Sequence, residues 1–343
     1  MKCLQAEDEE NMELMNSFPD WGGKPYFPIS SHYKKKFGEK VYKITVGTSE
    51  ICPNRRGNDE SDHCIFCDES GSAAYHLSEK KPLQQQIREN REWLSKRFNV
   101  NRFLVYFQPY TSTMEQLGTL EKNLNLALEE DKVSGLVLGT RPDCLPEKIF
   151  PLFRQIMEKT YLSIELGVQS FSDSALLFLR RGHTAQQSIE AIHRLHELSG
   201  VEIGIHLMFG LPDEKDSNLV ETAQLINSLP ISNVKLHNLH VLANTPLESL
   251  FQNKQFIPVE LEDYAKKVVL FLEHLSPQIA VQRLAATANR WEHLVAPEWT
   301  KERMRPSQVI MNKMLSETRY QGKLYSHKEH NLYTTNTTSN NNS

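Results

Sequence analysis

The stretch VYKITVGTSEICPNRRGNDESDHCIFC (residues 41–67) opens on an alternating, β-branched run and closes on three of the chain's five cysteines. VYKITVG (41–47) reads as a strand, and the cysteine loop leaves its C-terminal end. Cys64 and Cys67 form a C-x-x-C pair, while Cys52 stands apart across eleven mostly polar residues. Three clustered thiols invite metal. A closed zinc site takes four ligands, and His63 or His76 are the candidates for the fourth.

Working outward, strands and helices alternate. RFLVYF (102–107), GLVLGT (135–140), LSIELGVQS (162–170), VEIGIHLMFG (201–210), VKLHNLHVL (234–242) and IAVQRLA (279–285) read as further strands. Helices are predicted over 78–98, 113–130, through Ile149, Phe153 and Ile156, over 184–199, ending near Pro230, and over 259–275. Thr184 is placed as an N-cap and Gly200 as a stop. Seven strands separated by helices are βα units, hence a parallel sheet with right-handed crossovers. An open doubly wound sheet and a full or partial (β/α) barrel compete. No G-x-G-x-x-G follows the first strand and no G-x-x-x-x-G-K-[ST] occurs. A barrel carries its active site at the C-terminal ends of its strands, where the cysteine loop emerges. The expected fold is therefore a full or partial (β/α) TIM-like barrel.

Its limits are a lead-in (1–40), a core domain (41–300), a helical extension (301–330) opened by Pro306, and a polar tail (331–343) expected to be disordered. The 343 residues are 39% hydrophobic and 24% charged, with a formal net charge of −4. That composition excludes a disordered chain. No apolar run approaches the roughly 20 residues that span a bilayer, so no membrane association is expected. The acidic N-terminus lacks a signal-peptide core, which predicts a cytoplasmic protein. An odd cysteine count suits reduced thiols and metal ligation. Basic residues occur only in local clusters, among them Lys34 to Lys36 and Lys301, Arg303 and Arg305, so a nucleic-acid partner would be gripped locally.

A four-iron, four-sulfur cluster offers four ligand positions, and three local cysteines leave one open. S-adenosylmethionine fills such a position through its amino and carboxylate groups. The loop CPNRRG…C-x-F-C resembles that of radical S-adenosylmethionine (radical SAM) enzymes. Its C-x11-C-x2-C spacing is similar to one subgroup, related to the Elongator-protein-3-like and coproporphyrinogen-dehydrogenase-like branch. YFQPYTST (106–113), GTRPDCLP (139–146), ELGVQS (165–170), RRGHT (180–184) and HLMFGLP (206–212) carry the likeness across about residues 25–300. Asp62 and His63 stand where subgroup members usually have a glycine pair.

The resemblance implies that Cys52, Cys64 and Cys67 ligate a 4Fe–4S cluster and that S-adenosylmethionine is the second cofactor. The backbone around Phe66 would meet the adenine. The segment Gln108 to Ser112, with Tyr110 and Thr111 between them, would meet the cofactor's amino group. Glu165, Gln169, Arg181 and His206 match cofactor-contacting segments, and Arg141 and Asp143 could reach ribose or substrate. A flavodoxin- or ferredoxin-type electron donor is implied, and kinship points to tRNA wobble-uridine modification. A small-metabolite or protein substrate, a zinc-stabilised RNA-binding module and a scaffold with a vestigial cluster remain alternatives.

Cys144 is either a small buried residue or a reactive thiol at the barrel mouth. Lys235 and His237 share one face of the sixth strand and are substrate candidates if that face is the interior. Gln282 and Arg283 are expected on opposite faces. His193 and His196 read as a solvated helix face.

Overall fold

The computed structural model describes residues 21–48, 51–55, 63–68, 81–288 and 290–326. Cys3, Asp62, His76 and the polar tail lie outside these residues. A first helix, α1 (Ile29–Phe37), precedes β1 (Tyr42–Val46), α2 (Leu83–Phe98) and β2 (Phe103–Phe107). Then come α3 (Leu117–Leu128), β3 (Val133–Thr140), α4 (Phe150–Lys159), β4 (Tyr161–Gln169) and a short α5 (Asp173–Phe178). Next are α6 (Ala185–His196), β5 (Glu202–Phe209), α7 (Asp216–Ser228), β6 (Asn233–Asn238) and β7 (Val241–Leu242). The order ends with α8 (Pro246–Gln252), α9 (Leu261–His274), β8 (Ala280–Val281), β9 (Leu294–Ala296) and α10 (Arg305–Ser316).

The main sheet is parallel and runs in the order β1-β2-β3-β4-β5-β6-β8. Strands follow sequence order without the reversal of a doubly wound sheet. In a flat sheet β1 and β4 would lie about 14 Å apart, and β2 and β6 about 19 Å. Here Lys43 of β1 bonds Glu165 of β4, and Lys235 Nζ of β6 lies 3.3 Å from Tyr106 Oη of β2. Lys43 Nζ also donates to Gln282 Oε1, just past β8, at 2.8 Å. The sheet is thus curled into a half-barrel, and these side chains meet across its interior.

Alternation divides each strand between two environments. On β4, Leu162, Ile164, Leu166 and Val168 are buried in the cluster between sheet and helices, beside Phe153, Ile192, Ile226 and Val268. Their neighbours Glu165, Gly167 and Gln169 face the interior cavity. Helix ends follow local chemistry. Thr184 Oγ1 accepts from Gln187 N at 3.2 Å and Gln187 Oε1 accepts from Thr184 N at 2.9 Å, the reciprocal cap that starts α6.

The lead-in is a plug. Tyr33 packs with Leu104, Tyr106 and Val137, closing the barrel at the N-terminal ends of its strands. There Glu202 accepts from His32 (2.9 Å), Lys36 (2.6 Å) and Tyr161 Oη (2.7 Å). The far C-terminus joins the same region: Gln321 donates to Ser276 O and Ile279 O and accepts from Phe27 N.

Three expectations are corrected. The run 234–242 is not one strand: Asn238 takes a hydrogen bond from Ala286 N and gives one to Thr300 Oγ1. The chain turns there, and β7 pairs antiparallel with β9 in a separate small sheet. The helix at 113–130 begins only at Leu117, after a 3-10 turn over Ser112–Met114 and an extended Gln116. The last strand is two residues long, because the chain bends after Val281.

Candidate active site

The interior opens at the C-terminal strand ends into a cavity of about 500 Å³, a size typical of small-molecule sites. Cys52, Cys64 and Cys67 line one end. The loop is fastened on both sides. Thr111 N donates to Ile51 O at 3.1 Å, and Ile65 exchanges backbone bonds with Leu179 and Leu247. Ile65 is fully buried with Leu179, Leu239, Val241 and Leu247, so α5, β7 and α8 hold the C-x-x-C turn in place.

Cys64 Sγ accepts hydrogen bonds from Asn54 Nδ2 at 3.1 Å and Arg181 Nη1 at 3.3 Å. Arg181 also donates to Gly167 O at 2.9 Å. A Cβ at Gly167 would sit 3.0 Å from Gln169 Nε2 and 3.2 Å from Arg181 Nη2, so a side chain there would crowd both. Arg141 donates to Asn54 Oδ1 and grips Asp143 with two bonds, at 2.9 and 2.7 Å. This places Asn54, Arg141 and Arg181 around one thiol.

The opposite end of the cavity is a polar layer built on Glu165, which is 1% exposed. Its carboxylate is bonded by Lys43, by His206 Nε2 at 2.8 Å and by Gln282 Nε2 at 2.9 Å, with Lys235 Nζ at 3.6 Å. Glu165 pairs with Gly139 on β3 and Gly204 on β5. A Cβ at Gly204 would fall 2.5 Å from Asn233 Oδ1 and 3.2 Å from Glu165 Cγ, so only glycine admits these side chains. Burial disfavours ionised Glu165, but Lys43, Lys235 and the His206 bond outweigh it and hold the carboxyl well below its usual range. Burial and the Lys235 charge push His206 down to about 4, so it is neutral and donates to Glu165. Burial also lowers Lys235 to about 7 against the attraction of Glu165, with Arg283 and Lys43 adding to the fall. Arg283 Nη2 donates to His237 Nδ1 at 2.6 Å, and His206 and His237 stack with ring centroids 5.2 Å apart.

Of the residues singled out in the sequence, Phe66, Gln108, Tyr110, Thr111, Arg141 and Gln169 line the cavity, as do Glu165, Arg181, His206, Lys235 and His237. Ser112 does not; its Oγ donates to Phe107 O and closes the turn after β2. Asp143 acts on Arg141 from behind the wall. Cys144 is 4% exposed and off the cavity, its backbone carbonyl bonded by Thr113 Oγ1. Burial, reinforced by Asp143, pushes its thiol up to about 12, against the reactivity of a thiolate. Gln282 and Arg283 both face inward, contrary to expectation, because strand alternation has already ended. Lys43, Asn54 and Tyr106 were not singled out. A lysine inside the β-branched run YKITV was the available signal for the first. His193 and His196 are exposed, as expected.

The donor set fits an iron–sulfur group. Three thiols share one cavity end, two N–H donors converge on one sulfur, and Arg181 Nε is buried without a partner among the described residues. No described helix is long and apolar enough to cross a membrane.

Comparison with known proteins agrees. The family model described as Radical SAM superfamily matches residues 47–226, and the Radical_SAM C-terminal domain matches 231–316. MJ0486 of Methanocaldococcus jannaschii is 34% identical over 286 residues, covering 82% of this chain and 86% of that protein. A tRNA uridine(34) acetyltransferase of the same organism is 28% identical over 149 residues, 41% of this chain and 27% of its own. The structure of Methanocaldococcus infernus Elp3 superposes with a TM-score of 0.63 at 17% identity, over 82% of this chain and 64% of that one.

Proposed function

Because the chain belongs to the radical SAM superfamily, we propose that it modifies tRNA at the wobble uridine. Cys52, Cys64 and Cys67 would hold a 4Fe–4S cluster, and the cavity beside them would take S-adenosylmethionine. When bound, this pair supplies a 5′-deoxyadenosyl radical by reductive cleavage of the sulfonium, with the electron coming from a flavodoxin- or ferredoxin-type donor. The observation that carries the enzymatic reading is the placement of three thiols at one end of the interior cavity, at the strand ends where barrels carry chemistry.

The chain's own groups have definable tasks. The N–H donors of Asn54 and Arg181 draw electron density from the Cys64 sulfur and tune its ligand strength. Phe66, Met208, Leu239 and Leu242 give the cavity apolar walls that exclude water from a reactive intermediate. The Glu165 carboxylate favours the charged forms of Lys43 and Lys235 at the far end.

Two observations support tRNA as substrate. The partial relative is named for uridine 34 of tRNA. At the cavity rim Arg290 lines the opening, and the adjacent Trp291 is 65% exposed. An exposed aromatic beside an arginine suits stacking of an unpaired base, and a base to be modified must leave its stack to enter a pocket. The test is the nucleoside content of tRNA from cells with and without the gene. A modified wobble uridine lost on deletion and restored by wild type, but not by Cys64→Ala, is expected. Unchanged tRNA nucleosides would redirect the search to small-metabolite or protein substrates.

A further inference from the structure

The charges lining the cavity do not balance. Among the described residues its cations are Lys43, Arg141, Arg181, Lys235, Arg283 and Arg290, against two carboxylates, Glu165 and Asp68. The excess stands out in a chain whose formal net charge is −4. Arg141 has Asp143, and Lys43 takes Glu165. Lys235 shares that same carboxylate at 3.6 Å and leans on Tyr106 Oη. Arg283 bonds only neutral groups among the described residues, the His237 ring and Leu236 O. A buried cation without a counter-ion is costly, and such sites occur where a ligand supplies the missing charge.

We infer that Lys235 and Arg283 form a subsite for an oxyanion of the substrate, a carboxylate or a phosphate, at the end of the cavity away from the cysteines. Burial lowers both residues from their ordinary values and Glu165 only partly opposes the fall, so a further anion beside them would favour their charged forms. The planar guanidinium offers paired donors to such a group and the ammonium adds a point charge. The cofactor's own carboxylate would not meet this need if, with the amino group, it occupied the open cluster position. The partners of Lys235 and Arg283 are Glu165, Tyr106, His237 and Leu236.

This inference rests on the radical SAM reading of the site, and one experiment separates the two. Holoenzyme carrying its cluster and S-adenosylmethionine is titrated by calorimetry with acetate, inorganic phosphate and neutral acetamide, in buffer free of other small oxyanions. Saturable binding of acetate or of phosphate, and none of acetamide, is expected; the one that binds identifies the source. Arg283→Gln should weaken that oxyanion by about tenfold or more, the size of a charge-assisted bond, while Arg283→Lys should retain most of it. Acetamide binding as tight as that of the oxyanion in the wild type, or no binding of either oxyanion, overturns the inference. So does an Arg283→Gln protein that loses S-adenosylmethionine affinity and keeps the oxyanion. A preparation that cleaves S-adenosylmethionine but ignores oxyanions refutes this subsite alone. One that binds acetate through Arg283 but never cleaves the cofactor refutes the radical reading alone.

Discussion

The two faces of the same strands are built on opposite principles. Outward, β5 presents Ile203, Ile205, Leu207 and Phe209 to helices, and all are buried among other apolar groups. Inward, the same strand presents Gly204, His206 and Met208, with Asn233, Lys235 and His237 beside them on β6. The outer face stabilises by removing hydrocarbon from water, at roughly 25 cal/mol per Å² of apolar surface. The inner face spends stability on a charged layer that packs no better than an apolar one would. The difference teaches that period-two alternation divides stability from chemistry along β4, β5 and β6.

The sharpest way to break that comparison lies at the cysteine end. Cys64→Ala removes a proposed ligand thiol and the acceptor for Asn54 and Arg181. Iron binding after reconstitution and formation of 5′-deoxyadenosine should both fall to background. Retained cleavage with full iron would show that Cys64 is not a ligand.

Next comes the polar layer itself. Glu165→Gln keeps the shape but leaves Lys43 and Lys235 without their shared anion, a loss of about 3–5 kcal/mol in denaturant unfolding. A change under about 1 kcal/mol would mean that the lysines already face water. On the outer side, Phe153→Ala opens a void between α4 and the sheet and should cost a similar 3–5 kcal/mol or so. The two variants should differ in one respect: Phe153→Ala lowers stability without changing S-adenosylmethionine affinity.

The plug supplies a smaller and pH-dependent effect. Burial opposes ionisation of Glu202, but His32, Lys36 and Tyr161 bring it down to about 2 from 4.5. A depressed carboxyl contributes stability that is present above its unfolded value and lost as pH falls through the folded one. The gap between wild type and Glu202→Gln should be about 3 kcal/mol at neutral pH. It should shrink between about pH 4.5 and pH 2. A gap constant across that range would contradict the ionised cluster. Smallest of all, Ile164→Val on the outer face should cost about 1 kcal/mol, and a cofactor effect there would break the division of faces.

The outer face was readable because apolar spacing needs no tertiary knowledge. Phe153 and Ile156 on α4, or Thr184 before α6, follow from periodicity and capping alone. The cysteine triad was readable for a different reason, since its spacing and flanks are local. What stayed hidden depends on distant residues. Nothing near 234–242 shows that Asn238 will bond Ala286 and Thr300, or that β7 will pair with β9 instead of continuing β6. Gln282 and Arg283 were expected on opposite faces because alternation was carried past a two-residue strand. Lys43 was passed over because its partner, Glu165, lies three strands away and becomes a neighbour only when the sheet curls. Cys144 read equally as a small buried residue or a thiol at the barrel mouth, and the chain buries it.

The most direct test is anaerobic reconstitution with iron and sulfide followed by reduction with dithionite in the presence of S-adenosylmethionine. The account predicts a brown, oxygen-sensitive protein carrying one four-iron cluster and releasing 5′-deoxyadenosine. A colourless protein with stoichiometric zinc, no iron and no cleavage would contradict it.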